Sequence, residues 1–156
     1  MKILLIGYGR MGREIEKMAV ARGHRISMVV DQDNVADLDS LTPGIADVAI
    51  EFTTAASAPG NIKKCLKSGI PVISGTTGWN EGVEEIRKFA EKAGGTFLYA
   101  SNFSIGVNVL FMVNRSLASV MGKLDKYNPS ILEIHHTRKL DAPSGTAITL
   151  ADDIVR

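Results

Sequence analysis

The chain opens MKILLIGYGRMG, a short apolar run followed by glycines spaced G-x-G-x-x-G. Ile3, Leu4, Leu5 and Ile6 follow one another without polar alternation, the mark of a strand covered on both faces. A glycine directly after such a strand allows a turn too tight for a side chain. Gly7 fits that turn, Gly9 lets a bulky anion approach the backbone, and Gly12 lets the next helix lie close to the strand. The helix start then offers free N–H groups and the positive end of its dipole. Asp31 closes the second apolar run, about 20 residues beyond the glycines, where a carboxylate can accept both ribose hydroxyls of a dinucleotide. A plain strand-to-helix turn with a solvated aspartate would explain the spacing but not this context. The reading is therefore a nicotinamide dinucleotide site. Asp31 would repel a 2′-phosphate and the neutral Gln32 offers no compensation, so NADH is the expected cofactor. Arg10 leaves NADPH open as a second one.

The remaining chain repeats the pattern. Strands are expected at Lys2–Ile6, Arg25–Val30, Asp47–Phe52, Pro71–Ser74 and Thr96–Ala100. Helices are expected between them at Met11–Arg22, Ala58–Lys67 and Glu81–Lys92, the last with Val83, Ile86, Phe89 and Ala90 on one side. Repeated strand–helix units of this length predict an α/β fold, a Rossmann-type doubly wound parallel sheet over residues 1–104. Residues 105–156 then read as the start of a second, α+β domain for substrate binding and oligomerisation. It would hold a long apolar helix Ile105–Met121, a strand Ile131–Thr137 and a helix from about Ser144. A lone strand cannot form a sheet, and the final helix lacks a capping glycine, so the natural protein is expected to continue beyond Arg156.

Composition narrows the function. The 156 residues carry a formal net charge of +1 with 45% hydrophobic residues. That balance gives no support for nucleic acid or an anionic membrane as partner. The N-terminal apolar run is too short for a signal peptide core or a membrane span, and a cytoplasmic protein is expected. The single cysteine, Cys65, shares a helix face with Ile62 and Leu66 and reads as core. Trp79 reads as loop cover and His24 as a helix-end residue.

The segments EFTTAAS, SGTTGW (Ser74–Trp79) and YASNFS (Tyr99–Ser104) follow strands three, four and five. They lie at the sheet edge where open α/β folds bind ligands. A denser cluster is EIHHTRKLDAPSGTA, Glu133–Ala147. His135 and His136 would point to opposite faces of a strand, with Arg138 and Lys139 following. Asp141 or Ser144 could cap a helix whose first N–H groups, near Gly145 and Thr146, form a carboxylate-sized anion site. Two histidines without further ligands make a poor zinc site, so no metal is expected. The combination suits a small acidic substrate, with histidine and lysine handling protons.

On GYGRMG, SGTTGW, ASNFSIGVN and above all EIHHTRKLDAPSGTA, the chain resembles the 4-hydroxy-tetrahydrodipicolinate (dihydrodipicolinate) reductase family of lysine and diaminopimelate biosynthesis, along its whole length. The resemblance implies His135 as catalytic acid/base and Lys139 as proton donor. It implies that His136, Lys139, Gly145, Thr146 and Thr77 hold a small dicarboxylate. It also implies that Gly7, Tyr8, Gly9, Arg10, Met11, Gly12, Asp31, Phe52, Gly75, Thr76, Thr77, Ala100, Ser101, Asn102 and Phe103 line the NAD(P)H site, and that the assembly is a homotetramer. The departures are a glycine turn one residue shorter than in many relatives, Gln32 in place of an arginine, ASNF for AANF, and length. The alternatives are another NAD(P)H reductase of a small acid, or an inactive nucleotide-binding module.

Overall fold

A computed structural model describes residues 1–135, 137 and 142–155. It divides into two compact units, Met1–Ala100 and Ser101–Arg156.

The first unit is a parallel sheet of β1 (Lys2–Ile6), β2 (Arg25–Val30), β3 (Val48–Glu51), β4 (Val72–Ser74) and β5 (Phe97–Tyr99), in the order β2-β1-β3-β4-β5. Helices α1 (Arg10–Ala21), α2 (Ala58–Lys67) and α3 (Asn80–Lys92) connect the strands. Alternate residues of β1 feed separate cores. Ile3 and Leu5 pack with Ala19 and Ile15 of α1. Leu4 and Ile6 pack with the side carrying Ile62, Cys65 and Leu66 of α2 and Val83, Ile86 and Ala90 of α3. Helices thus cover both faces, which is why the strands lack period-two polarity. Each fully buried leucine or isoleucine contributes about 1.5–3 kcal/mol of transfer free energy.

Local chemistry sets the ends. Pro59 sits in the first turn of α2, where its missing N–H costs nothing, and Lys64 and Lys67 face the negative end of that helix. Trp79 is buried before α3, donates from its ring nitrogen to the Thr76 carbonyl at 2.7 Å, and meets the Tyr99 ring edge-on. The sequence pattern does not anticipate the 3₁₀ segment Gln32–Ser40 between β2 and β3.

The second unit contains α4 (Ile105–Met121) and α5 (Gly145–Val155). Ser104 caps α4, the Asn114 amide donates to the Leu150 carbonyl at 3.0 Å, and Arg115 pairs with Asp153. The strand expected at Ile131–Thr137 is not present over residues 131–135. A ladder needs a partner, and the described residues of this unit supply none.

Candidate functional site

Strand β1 has β2 on one side and β3 on the other, so the crossover from β1 runs one way across the sheet and the crossover from β3 runs the other. At that switch point the strand ends splay, and a crevice opens beyond them. Here it is a cleft of about 520 Å³ lined by Ile6, Gly7, Gly9, Val30, Asp31, Gln32, Val35, Phe52, Thr53, Thr54, Ser57 and Asn61.

The glycines shape its floor. Gly7 has φ +90°, and a Cβ there would lie 2.0 Å from the Phe52 carbonyl oxygen. Its N–H donates to Val30 O at 2.8 Å, tying the turn to β2. A Cβ on Gly12 would lie 2.2 Å from the Gly7 carbonyl oxygen, so α1 begins directly against the turn. Around Gly9 nothing lies within 4 Å of a would-be Cβ. Gly9 is also the N-cap of α1 and gives it no side-chain cap. The opening N–H groups of the helix are therefore left for an anion. This cradle fits a dinucleotide pyrophosphate.

Asp31 also lines the cleft and caps the 3₁₀ segment. Its carboxylate accepts from the Asn34 N–H, and its own N–H donates to Asn34 Oδ1 at 2.8 Å. The Asn34 amide in turn donates to Val29 O and to Asp37. A carboxylate has about four lone-pair sites, so Asp31 keeps acceptor capacity for ribose hydroxyls.

Of the residues expected at the cofactor, the cleft brings together Gly7, Gly9, Asp31 and Phe52. Tyr8, Arg10, Met11 and Gly12 are not on its walls, nor are Gly75, Thr76, Thr77 and Ala100. Tyr8 instead donates to Glu16, with the Arg13 guanidinium 5.1 Å above its ring. Thr76 is buried, and its hydroxyl donates to Glu51 at 2.8 Å. Ser101, Asn102 and Phe103 open the second unit, where Asn102 Oδ1 accepts from Ser104 N–H at 2.8 Å at the start of α4. Motif reading passed over Val35, Asn61 and the buried Glu51. Only Glu51 left a signal, an acid closing a strand whose other residues are apolar.

In the second unit Glu133 links two expected features. Its Oε2 meets His135 Nε2 at 2.8 Å, and its Oε1 accepts from Ser144 N–H at 2.9 Å. The Ser144 hydroxyl first, then the His135 ring and the Ser144 N–H, hold the Glu133 carboxyl down at about 2. Ser144 Oγ accepts from Ala147 N–H at 3.0 Å. With the N–H groups of Ser144 and Ala147 engaged, those of Gly145 and Thr146 meet no acceptor among the described residues. His136, Arg138, Lys139 and Asp141 lie outside the described residues. Among the described residues no group of three or more His, Cys, Asp or Glu could hold a metal ion.

The family profile described as "Dihydrodipicolinate reductase, N-terminus" matches residues 1–103, and "Dihydrodipicolinate reductase, C-terminus" matches residues 106–156. The chain belongs to the dihydrodipicolinate reductase family. It is 48% identical to the 4-hydroxy-tetrahydrodipicolinate reductase of Christiangramia forsetii over 99% of its own length and 64% of that protein's. Against the enzyme of the same name from Methanothermobacter thermautotrophicus, identity is 38% over 88% of this chain and 48% of the relative. The solved structure titled "Dipicolinate bound Dihydrodipicolinate reductase from Paenisporosarcina sp. TG-14" superposes with a TM-score of 0.67 at 27% identity, covering 99% of this chain and 65% of that one. The chain thus spans under two thirds of the length of these dihydrodipicolinate reductases.

Proposed function

We propose that the protein acts as an NAD(P)H-dependent 4-hydroxy-tetrahydrodipicolinate reductase, reducing the dehydrated, cyclic imine dicarboxylate to tetrahydrodipicolinate in lysine and diaminopimelate biosynthesis. The observation that carries this reading is the Glu133 link, which joins His135 to the N-terminus of α5 with the Gly145 and Thr146 N–H groups still available. A proton-handling ring beside a carboxylate-sized anion site is what reduction of a small imine acid needs. The relative bound to dipicolinate, an aromatic dicarboxylate by its printed title, supports a substrate of this class.

When bound, the nicotinamide cofactor supplies the hydride. The chain's residues do the rest. Gly145 and Thr146, with His136 and Lys139, hold the substrate carboxylates. Reduction of the conjugated imine leaves an enamine that must take up one proton. Lys139 delivers it, since a lysine is protonated at neutral pH, and His135 shares or relays it. Asp31 and Gln32 together favour NADH over NADPH, because a carboxylate accepts from ribose hydroxyls and repels a 2′-phosphate. The assembly is a homotetramer of the cytoplasm. Exposed apolar side chains along α4, including Met112, Val113, Leu117 and Val120, support burial against further protein. No helix among the described residues is long and apolar enough to cross a membrane.

The test is steady-state NADH oxidation with freshly generated substrate, beside NADH titration. Lys139→Ala and His135→Ala should lower kcat severely while NADH still binds. Lys139→Arg should recover substrate affinity but not rate, since guanidinium holds its proton. Near-normal kcat in both lysine variants would remove Lys139 from the chemistry.

A further inference from the structure

The chemistry proposed above leaves the fully buried carboxylate of Glu51 unused. Four donors converge on it. The Thr53 N–H, at 3.0 Å, and the Thr53 hydroxyl reach Oε1. The Thr76 hydroxyl reaches the same oxygen at 2.8 Å, and the Ser74 hydroxyl reaches Oε2 at 2.5 Å. A carboxylate can only accept, so three hydroxyl protons are drawn inward. Thr76 Oγ1 in turn accepts from the Thr53 N–H at 2.7 Å, which ties the loop after β3 to the loop after β4.

The consequence falls on Thr53, which lines the cleft. With its only hydroxyl proton committed to Glu51, its oxygen can offer lone pairs alone. The nearest other donor, the Asn61 amide, is at 3.5 Å, a long contact that leaves room for a better one. Thr54 next to it is not fixed in this way, since its hydroxyl shares a 2.9 Å contact with Ser57 in which either oxygen can donate.

We propose that Glu51 is a positioning residue that makes Thr53 an obligate acceptor in the cleft. Thr53 would then select a donor group of the dinucleotide, a ribose hydroxyl or the carboxamide NH₂, and disfavour a phosphate oxygen there. This rests on the nicotinamide dinucleotide reading of the cleft. It differs from a purely mechanical role for Glu51, in which any side chain that holds the loops would do.

The test is a double-mutant cycle read by calorimetric titration of the full chain with NADH. Glu51→Met keeps the length and removes both oxygens. Thr53→Val keeps the shape of Thr53 and removes its hydroxyl. Glu51→Met should weaken NADH binding about tenfold when Thr53 is present, the effect expected of one mis-set hydrogen bond to a ligand. In the Thr53→Val background the same change should cost less than about twofold, because the group Glu51 acts through is gone. Thr53→Ser should retain affinity and Thr53→Val lose it. Circular dichroism and thermal melting report folding, and if Glu51→Met is unfolded, Glu51→Leu, which also removes both oxygens, takes its place in the cycle. Equal losses in the two backgrounds, or no loss in either, would overturn the proposal and leave Glu51 a scaffold residue. If the unaltered chain does not bind NADH, the dinucleotide reading fails and this inference with it. If it binds NADH without regard to Glu51, only this inference fails.

Discussion

Two glycines two residues apart should fail in different ways when given a methyl group. At Gly7 an alanine meets two penalties. Its φ of +90° belongs to the region that L side chains avoid, and its Cβ would sit 2.0 Å from the Phe52 carbonyl oxygen. The first costs about 1–2 kcal/mol. The second is overpacking against backbone, which has no rotamer to escape into, and costs about 1–3 kcal/mol. Together they give about 2–5 kcal/mol. For a unit of this size each kcal/mol shifts Tm by about 4–8 °C, so the midpoint should fall by at least about 8 °C. At Gly9 the backbone is extended, with φ −74° and ψ −153°, and no atom lies within 4 Å of the added methyl. Gly9→Ala should therefore keep Tm within about 2 °C, the range of a neutral surface change. It should still weaken NADH binding tenfold or more, by standing where the pyrophosphate must approach the N-terminus of α1. The assays are differential scanning calorimetry and NADH titration of both variants. A Gly9→Ala protein that binds NADH normally would show that the pyrophosphate does not use this cradle. A Gly7→Ala protein with unchanged Tm would refute the close approach of the two turns.

Cys65 is buried, and desolvation, helped by the Glu51 charge, pushes its thiol up to about 12. It should resist thiol reagents in the native protein at pH 8 and react at once on unfolding; fast labelling of the native protein would show that the core around α2 opens. The double change Asp31→Ala and Gln32→Arg should move preference from NADH toward NADPH, and a strong NADPH preference in the unaltered chain would sink the assignment of these positions. The Glu133 carboxyl, about 2 in the folded protein against an ordinary 4.5, should stabilise fully above pH 4.5 and lose that contribution as pH falls toward 2. The Tm gap between the unaltered chain and Glu133→Gln should close across that window, and a pH-independent gap would refute the pairing with Ser144 and His135.

The elements that were legible in the sequence are those whose signal is local. Helices α2 and α4 span the residues expected of them, because Pro59 opens the first and an apolar run carries the second. The segment Gln32–Ser40 was missed for a local reason too. DQDNVADLDS carries no 3.6-residue apolar period, and what orders it is the reciprocal capping between Asp31 and Asn34. The strand expected at Ile131–Thr137 is absent over residues 131–135 for a different reason. Its β-branched residues are suited to a ladder, but propensity says nothing of whether a partner strand exists, and pairing decides the outcome. The cleft beyond β1 lies between these cases. Gly7, Gly9 and Asp31 could be placed from spacing alone, since the turn, the helix start and the end of β2 are set by neighbours in sequence. Glu51 could not. The Ser74 and Thr76 hydroxyls that meet it lie 23 and 25 residues further along the chain. They arrive there only because β3 and β4 pair side by side, in a register that sets Glu51 opposite Ser74. EFTT and SGTT look like two ordinary polar turns when read separately. The parallel register turns them into one buried network, which draws the Thr53 hydroxyl proton to Glu51 and leaves only its lone pairs to the cleft.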